Sequence, residues 1–234
     1  MFVPSSSLDL FALERPLLDR GEVVVGIDEV GRGALAGPMA VGAVVVRQGS
    51  AVPQGVADSK VLSATRRASL VEPLQSWAAE WSLGWVSAAE IDSWGVRLAL
   101  AVAATRALDA LTLCPSHVLI DGPFNILDAP CDLFTGGEAP VPDLHHSRLA
   151  HTTVIRGDSL SAAIAAASIL AKVERDRVMC DLHLEFPFYD WASNKGYGTA
   201  KHLAALQGHG ASVHHRRSWR LPTKTYDVLG RVGQ

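Results

Sequence analysis

The sequence predicts an α/β protein in which helices cover a mixed β-sheet. Short β-branched runs alternate with longer Ala- and Leu-rich segments, which is the pattern of this class. Hydrophobic residues make up 48% of the 234 residues and charged residues 19%. A chain of this length and composition can bury a core without disulfides or a structural metal, so intrinsic disorder is excluded for the bulk of it.

The first half of the chain predicts three strands and one helix. After a loosely attached lead-in over 1–20, the run 22–28 predicts a buried strand, and a glycine-rich loop leads to a second strand. Because only a loop joins these two strands, we expect them to pair antiparallel. Residues 63–77 have helical spacing, although Pro73 is expected to kink or shorten the helix, and 81–86 predicts a third strand.

The second half predicts two helices, two strands and an insertion. The longest apolar periodicities, at 96–113 and 159–185, predict helices. The β-type runs at 117–121 and 152–157 predict the fourth and fifth strands. Residues 124–151 carry Pro, Gly, His and Asp without periodicity, so we expect an exposed insertion there.

Charge is distributed unevenly along the chain. The net charge is −3, yet residues 195–234 contain seven Lys or Arg and one acid. We therefore predict a main domain over 21–190 and a basic extension over 191–234 that packs on it. A basic extension beside an acidic body favours contact with a polyanion, although a solvated basic surface has the same composition.

Cysteine usage and the N-terminus bear on the compartment. Cys114, Cys131 and Cys180 have no CxxC spacing, which favours three free thiols in a reducing environment. The N-terminus has no cationic head followed by an apolar run, and no stretch has the length of a transmembrane helix. We expect a cytoplasmic protein.

Acidic residues follow three of the predicted strands. Asp28 and Glu29 end the first strand, Asp121 ends the fourth, and Asp158 follows the fifth. Parallel strands would bring these acids to one edge of the sheet, where carboxylates about 4 Å apart repel by roughly 4 kcal/mol. Such a cluster predicts a divalent cation, and all-oxygen ligands favour Mg²⁺. Each acid alone also fits a strand end, a turn or a helix N-cap.

The glycine-rich loop after the first strand has two interpretations. Gly31, Gly33 and Gly37 resemble a dinucleotide fingerprint, which would indicate an NAD-dependent oxidoreductase. However, Pro38 and a β-branched run follow at the point where a dinucleotide loop opens a helix. We favour close backbone approach to a ligand, with Arg32 able to reach a phosphate, and a plain tight loop stays open.

Six segments resemble bacterial ribonuclease HII, in family order and across nearly the whole chain beyond the lead-in. They are GIDEVGRGALAGP at 26–38, DSK at 58–60, LIDG at 119–122, RGDSLSAAIAAASILAKVERD at 156–176, NKGYGT at 194–199 and HRRSW at 215–219. The resemblance implies a ribonuclease H-like fold, with a five-stranded mixed sheet flanked by helices and a helical C-terminal extension.

The resemblance also implies an activity. Asp28, Glu29, Asp121 and Asp158 match the catalytic acids of the family, which hold two Mg²⁺ or Mn²⁺ ions at the scissile phosphate. The implied enzyme is a monomeric endoribonuclease that cuts 5′ of ribonucleotides in RNA/DNA hybrids and of single ribonucleotides in duplex DNA. It leaves 3′-hydroxyl and 5′-phosphate ends and serves to remove ribonucleotides from DNA.

A second set of residues matches the substrate contacts of the family. The loop of Gly31, Arg32 and Gly33 resembles the contact to the ribonucleotide at an RNA-to-DNA junction. Tyr197 resembles the ring that packs on the adjoining deoxyribose, with core packing as its alternative role, and Lys60 resembles a phosphate contact. The extension is expected to contact the duplex backbone through basic residues that include Lys195, Lys201, Arg216 and Arg217.

The chain departs from the family pattern at three positions. Ala34 stands where Pro is common, Val61 where a second Lys is common, and Gly95 where Asn is common, near Asp92. Three alternatives stay open: the related ribonuclease HIII, whose glycine loop differs, an inactive nucleic-acid-binding relative, and the NAD-dependent enzyme. The presence of all four acids argues against the inactive relative.

Two groups of histidines are not predicted to be metal ligands. We expect His145, His146 and His151 to be surface residues of the insertion. We expect His214 and His215, which stand beside two arginines, to face a phosphate or solvent.

Overall fold

The computed structural model describes residues 9–56, 62–128 and 143–222. Within these ranges the strands are β1 Val24–Val30, β2 Met39–Val45, β3 Glu80–Val86, β4 His117–Asp121 and β5 Ala150–Val154. The helices are α1 Arg15–Leu18, α2 Ala64–Trp77, α3 Ala88–Asp109, α4 Ala162–Glu185, α5 Trp191–Asn194 and α6 Ala200–His209. Short 3₁₀ helices lie at His145–Arg148, Gly157–Ser159 and Pro187–Tyr189.

The five strands form one mixed sheet with the order β3-β2-β1-β4-β5. β1 pairs antiparallel with β2, and β2 with β3, whereas β4 runs parallel to both β1 and β5. The predicted fold class and the antiparallel first pair are therefore confirmed. Because a strand follows Gly37, the dinucleotide-binding interpretation of the glycine loop is wrong.

Helices cover both faces of the sheet. Val24 and Leu119 pack on one face against α4 and α2, while Val25 and Ile27 pack on the other face against α3. The alternation follows from the two-residue period of a strand. Parallel β1 and β4 are thus buried on both sides, which explains their nearly continuous hydrophobic sequences.

Glycines in the strands let the Ala-rich helices approach the sheet closely. A Cβ atom on Gly26 would lie 2.4 Å from the backbone carbon of Ala163 in α4. A Cβ atom on Gly84 would lie 1.9 Å from the backbone oxygen of Ala103 in α3. Both helices therefore pack directly on the strand backbone, and the first turn of α4 contacts β1 at Gly26.

Two predicted helices differ from the observed ones. α2 continues through Pro73 to Trp77, so the expected shortening is wrong, and Leu70 and Leu74 anchor the helix in the core on both sides of the proline. Gly95 has φ 74° and ψ 159°, which breaks α3 into two helical segments, and the N-terminal segment from Ala88 was not predicted.

The chain after β5 turns earlier than predicted. β5 ends at Val154, and Arg156 adopts a left-handed conformation with φ 58°. The following helix α4 begins at Ala162 rather than at 159, since the hydroxyl of Ser161 accepts the backbone N–H of Ile164 as its N-cap.

The lead-in and the ends of the insertion are packed more firmly than expected. Phe11 lies in the core, and the fully buried Glu14 accepts hydrogen bonds from the Ser161 hydroxyl and the Ala163 backbone N–H. Phe124 is 71% exposed, but Leu127 is fully buried against the α3 side of the core. The expectation of a loose lead-in is therefore wrong over its described residues, 9–20, and the insertion is not exposed at Leu127.

Two of the three cysteines, Cys114 and Cys180, are free thiols, as expected. The third, Cys131, lies outside the described residues, and so do Lys60 and Val61. Among the described helices, none is both long and apolar enough to cross a membrane.

Candidate active site

The register of the parallel strands places Asp28 and Asp121 side by side. Ile27 of β1 pairs with Ile120 of β4, so the next residue of each strand is an aspartate, and adjacent strands lie about 4.8 Å apart. Both isoleucines pack on the α3 face, and the two aspartates therefore point to the α4 face. The predicted meeting of these two acids at one edge of the sheet is confirmed.

Asp158 comes to the same edge from a different element. The backbone N–H of Gly157, in the 3₁₀ turn after β5, donates to Oδ1 of Asp121 at 2.7 Å. Asp158 is the next residue and is only 2% exposed. The turn thus fixes Asp158 beside Asp121 through a backbone hydrogen bond.

Glu29 completes the acidic set from the opposite face of β1. As the residue after Asp28 in a strand, it points away from α4, while its backbone N–H donates to Oδ1 of Asp28 at 2.8 Å. Its carboxylate lies 3.6 Å from the guanidinium of Arg32. The acids therefore straddle the carboxyl edge of the sheet instead of sharing one face.

Two neighbouring cavities form a groove past these acids. One, of about 460 Å³, is lined by Asp28, Glu29, Val30, Gly31, Arg32, Gly33, Arg67, Asp121, Ser168, Lys172 and Tyr197. The second, of about 430 Å³, extends over Arg97, Gly122, Phe124, Asn125 and Asp128. Glu29, Arg32 and Asp121 line both cavities and Asp28 lines the first, so the groove crosses three of the four acids, while the buried Asp158 lines neither cavity.

Four polar helix residues that line the groove were not among the predicted site residues. Ser168 and Lys172 are four residues apart in α4, a spacing that puts them on one helix face and that could have drawn attention to them. Arg67 on α2 and Arg97 on α3 have no such signal, because only the packing of the helices brings them to the groove.

The loop of Gly31, Arg32 and Gly33 is held by the buried guanidinium of Arg216. This group donates to the backbone oxygens of Arg32 and Gly31, both at 2.6 Å, and to that of Gly37 at 3.3 Å. Burial lowers the pKa of Arg216 to about 10, so it is still a cation at neutral pH. The expectation that Arg216 contacts a duplex is wrong, because its side chain is fully buried.

A second buried arginine joins this loop to the C-terminal extension. Arg175 of α4 donates to the backbone oxygens of Pro38 at 2.8 Å and Lys195 at 2.9 Å. Its guanidinium also lies 5.6 Å from the ring centre of Tyr197, a cation–π contact, and Tyr197, which lines the groove, is 38% exposed. A Cβ atom on Gly31 would lie 2.1 Å from Nε of Arg175, so this position requires glycine.

Two buried histidines fix the backbone of Tyr197. Nδ1 of His202 lies 2.9 Å from the carbonyl oxygen of Tyr197 and must donate to it, so Nε2 of His202 is an acceptor. This Nε2 accepts from the Trp191 indole at 3.1 Å and from Nε2 of His215 at 3.0 Å. Nδ1 of His215 in turn accepts the backbone N–H of Ser212. Every ring nitrogen is satisfied with both imidazoles neutral.

This network overturns one prediction for the histidine pair. His215 is 1% exposed, so it faces neither phosphate nor solvent. Burial, followed by the neighbouring His202, lowers the pKa of His215 to about 4. His215 therefore belongs to a buried cluster of neutral histidines and not to a basic surface.

Three further basic residues of the extension make contacts within the protein, Arg217 through its backbone only. The Lys195 ammonium donates to the Cys180 sulfur at 3.1 Å, and Lys201 forms an exposed ion pair with Asp190 at 3.0 Å. The backbone N–H of Arg217 donates to the carboxylate of Asp92 at 2.8 Å. The expected duplex contacts of Lys195, Lys201 and Arg217 stay predictions.

The donor chemistry of the acidic edge fits hard divalent cations. All four candidate ligands are carboxylates, and such ligands suit Mg²⁺ and Mn²⁺ better than softer metals. Among the described residues, no three of these acids place their ligand atoms within 4.8 Å of one another. The set therefore suits an ion such as Mg²⁺, which uses one or two carboxylates and completes its coordination with water and substrate phosphate.

The fold and the carboxylate-lined groove define a metal-dependent nuclease of the ribonuclease H-like class. The profile of the family described as Ribonuclease HII matches residues 25–221. Ribonuclease HII of Jannaschia sp. is 44% identical over 209 residues, which cover 89% of this chain and 94% of the relative. Ribonuclease HII of Verminephrobacter eiseniae is 42% identical over 198 residues, covering 84% and 85%. The chain belongs to the ribonuclease HII family, and it is a hydrolase that acts as an endoribonuclease of ribonuclease H type 2 on nucleic acid.

Solved structures agree with this assignment. The ribonuclease HII of Archaeoglobus fulgidus, solved in complex with PCNA, superposes with a TM-score of 0.65 at 26% identity over 84% of this chain and 93% of that chain. The ribonuclease H2 of Pyrococcus horikoshii superposes with a TM-score of 0.64 at 24% identity, covering 85% and 94%. Bst-RNase HIII in complex with Mn²⁺ shares the fold at a TM-score of 0.63 and 17% identity, covering 86% and 68%.

Proposed function

We propose that the chain cuts the phosphodiester 5′ of ribonucleotides in RNA/DNA hybrids and of single ribonucleotides embedded in duplex DNA. The products are 3′-hydroxyl and 5′-phosphate ends, and the biological role is to remove ribonucleotides from DNA. One observation carries the proposal: Asp28, Glu29 and Asp121 line the same cavity as Arg32 and Tyr197. Selection for RNA depends on the 2′-hydroxyl, and a cavity shared by the proposed recognition residues and the acids supports this assignment.

The four acids are proposed to hold two Mg²⁺ or Mn²⁺ ions. When bound, such ions supply a water nucleophile of lowered pKa and stabilise the leaving 3′-oxygen. Asp28 and Asp121 offer adjacent oxygens on the α4 face, Glu29 offers oxygens on the other face, and Asp158 is fixed by the turn after β5. Because all four acids come from one chain, we propose that a monomer is sufficient.

The glycine loop and Tyr197 are proposed to read the ribonucleotide and the nucleotide beside it. A Cβ atom on Gly33 would meet nothing within 4 Å, so the backbone there is open to the groove. Gly31 and Arg32 have their carbonyls fixed by Arg216, which leaves the opposite side of the loop to face substrate. The exposed ring of Tyr197 offers a flat surface for a deoxyribose. Lys60, outside the described residues, is proposed as a phosphate contact.

Cationic side chains around the groove are proposed to bind the phosphate backbone. Arg32, Arg67 and Lys172 line the cavity on the Tyr197 side, and Arg97 lines the other side. These cations surround the acids and would attract a polyanion to a site that otherwise repels one. The surface of the groove, rather than the basic tail as a whole, is the proposed duplex-binding surface.

Cleavage mapping tests the proposal. A labelled DNA duplex with one internal ribonucleotide is incubated with the protein, with and without Mg²⁺, beside an all-DNA duplex and an RNA/DNA hybrid. We expect Mg²⁺-dependent incision 5′ of the ribonucleotide with an extendable 3′-hydroxyl, cleavage of the hybrid, and no cleavage of DNA. Incision on the 3′ side, or equal cleavage of the all-DNA duplex, would refute the proposed specificity.

A further inference from the structure

Two histidines and an aspartate converge at a place that the nuclease site does not use. Asp109 is the last residue of α3, and His145 and His146 lie in the 3₁₀ helix that precedes β5. Nε2 of His145 lies 2.9 Å from Oδ1 of Asp109, and Nε2 of His146 lies 2.8 Å from the same oxygen. The three ligand atoms all fall within 4.8 Å of one another.

This cluster lies at the opposite edge of the sheet from the acids. In the β4–β5 pair, His117 pairs with Ala150 at the amino ends and Asp121 with Val154 at the carboxyl ends. The cluster adjoins the amino ends, because β5 begins two residues after the 3₁₀ helix. A five-residue strand spans about 16 Å, so the cluster is separate from the catalytic groove.

The geometry is close to that of a tetrahedral metal site. Zinc bonds to nitrogen and oxygen are about 2.0–2.2 Å long, which places the ligand atoms about 3.4 Å apart in a tetrahedron. The two nitrogen–oxygen distances would need to open by only about half an ångström. The side chains have room to do this, since His145 is 50% exposed and Asp109 is 46% exposed.

Two electrostatic features favour a cation at this position. Asp109 stands at the C-terminal end of a helix, where the helix dipole disfavours a negative charge. The carboxylate of Asp143 lies 3.9 Å from Nδ1 of His145, which is beyond hydrogen-bond distance but adds a second negative charge beside the cluster. A bound cation would neutralise Asp109 and use both imidazole lone pairs.

We propose that Asp109, His145 and His146 form a structural site for a divalent transition metal, with Zn²⁺ as the best fit. Two imidazoles and one carboxylate select borderline ions over Mg²⁺, and a water would fill the fourth position. The ion joins α3 to the segment that enters β5, an exposed edge strand. Since β5 leads to Asp158, the site would secure one wall of the catalytic groove from a distance.

Metal titration in excess Mg²⁺ tests this site, because Mg²⁺ occupies the carboxylate edge but competes poorly for imidazole. We expect one Co²⁺ per chain with visible absorption bands, displaced by Zn²⁺. Zn²⁺ at about 100-fold above its dissociation constant should raise the melting temperature by about 5–10 °C. In His146→Ala the absorption and the shift are lost, whereas His151→Ala, which alters a nearby exposed histidine outside the cluster, retains both.

The test does not depend on the nuclease reaction. Wild type and His146→Ala are expected to cleave equally in Mg²⁺ at 25 °C. If His146→Ala fails to fold, Asp109→Asn serves instead, because it retains the hydrogen-bond acceptor while weakening Co²⁺ binding by about tenfold or more. No Co²⁺ binding below 1 mM in wild type, or an equal melting shift in wild type and the cluster variant, would overturn the proposal.

Discussion

The two walls of the groove are built by different physical means. The acidic wall is set by strand register, which places Asp28 next to Asp121 through backbone pairing of β1 with β4. The opposite wall is a loop whose carbonyls have no strand partner, and buried arginines supply the missing donors. Arg216 reaches Arg32 from 184 residues further along the chain.

The difference indicates which wall tolerates change. A strand holds its acids through many backbone hydrogen bonds, so a side-chain substitution there alters chemistry more than structure. The loop depends on a few charged donors, and hydrogen bonds to charged groups contribute about 1.5–3 kcal/mol each. Substitution of the buried supports, or of a loop residue that packs on them, should therefore alter structure first and chemistry second.

The largest expected effect is on the acidic wall. Asp28→Asn removes a charge from the proposed ion ligands while retaining Oδ1 as the acceptor for the Glu29 N–H. We expect cleavage to fall by about 10³-fold or more, which is about 4 kcal/mol, with duplex binding and unfolding little changed. Glu14→Gln is the control. It neutralises another buried carboxylate, one that lies near the N-cap of α4 and outside the groove, and it should cleave at the wild-type rate. Near-normal turnover of Asp28→Asn would remove it from the ligand set.

Two glycines of the loop wall provide a matched pair. Gly31→Ala introduces a side chain at φ 83° and 2.1 Å from the Arg175 Nε, so we expect a loss of about 3 kcal/mol or more in the free energy of unfolding. Gly33→Ala meets nothing within 4 Å and should unfold like wild type, yet cleave more slowly because the proposed substrate approach is blocked. Urea denaturation and cleavage rates decide the comparison. Equal stability of the two variants would contradict the conclusion that the contact with Arg175 requires glycine at position 31.

The histidine network beneath Tyr197 makes stability depend on pH. The pKa of His215 is about 4 in the folded protein and about 6.5 when unfolded, so below pH 6.5 the unfolded chain binds the extra proton. Stability from this residue is complete above pH 6.5 and falls by about 3 kcal/mol as the pH drops to 4. His202, whose pKa burial also lowers, contributes with the same sign.

Urea unfolding curves between pH 4 and 7 measure this effect. His215→Gln retains a donor that can face His202 but does not titrate, so its stability should vary less with pH than that of wild type. Parallel pH profiles for the two proteins would show that His215 is not held neutral.

The smallest expected effect concerns Tyr197. Tyr197→Ala removes the ring that lies over Arg175 and is expected to lower the preference for an RNA-to-DNA junction over an all-RNA hybrid by about tenfold. Tyr197→Phe keeps the ring and should retain the preference. Cleavage rates on both substrates measure it, and equal losses of Tyr197→Ala on the two would contradict a role at the junction.

Much of the acidic wall could be predicted from sequence because its signals are local. A β-branched run followed by Asp28, and another followed by Asp121, predict two strand ends. Parallel pairing of the two strands then brings the two aspartates together. Asp158 was placed correctly at this edge even though β5 ends at Val154, since the turn still delivers it. The catalytic roles themselves stay predictions.

The supports of the loop wall could not be predicted in the same way. Arg216 and His215 were predicted to lie on a basic surface, because the amino-acid sequence shows which residues are charged but not which of them are buried. Pro73 predicted a kinked or shortened helix, whereas α2 extends to Trp77, because the core packing of Leu70 and Leu74 cannot be seen in the local sequence. The glycine-rich loop did indicate that another group approaches the backbone closely. Residue spacing, however, could not identify that group at Gly31 as the side chain of Arg175.

The sequence alone determined the α/β class, the order of the strands along the chain and the acids at the strand ends. Each of these features depends only on residues that are close together in the sequence. Only the tertiary structure decided that Arg216 and Arg175 hold the glycine loop, that His202 and His215 are neutral, and that Arg67 and Arg97 reach the groove. These features join residues far apart in the chain, and burial then decides whether a charged side chain meets solvent or a carbonyl oxygen.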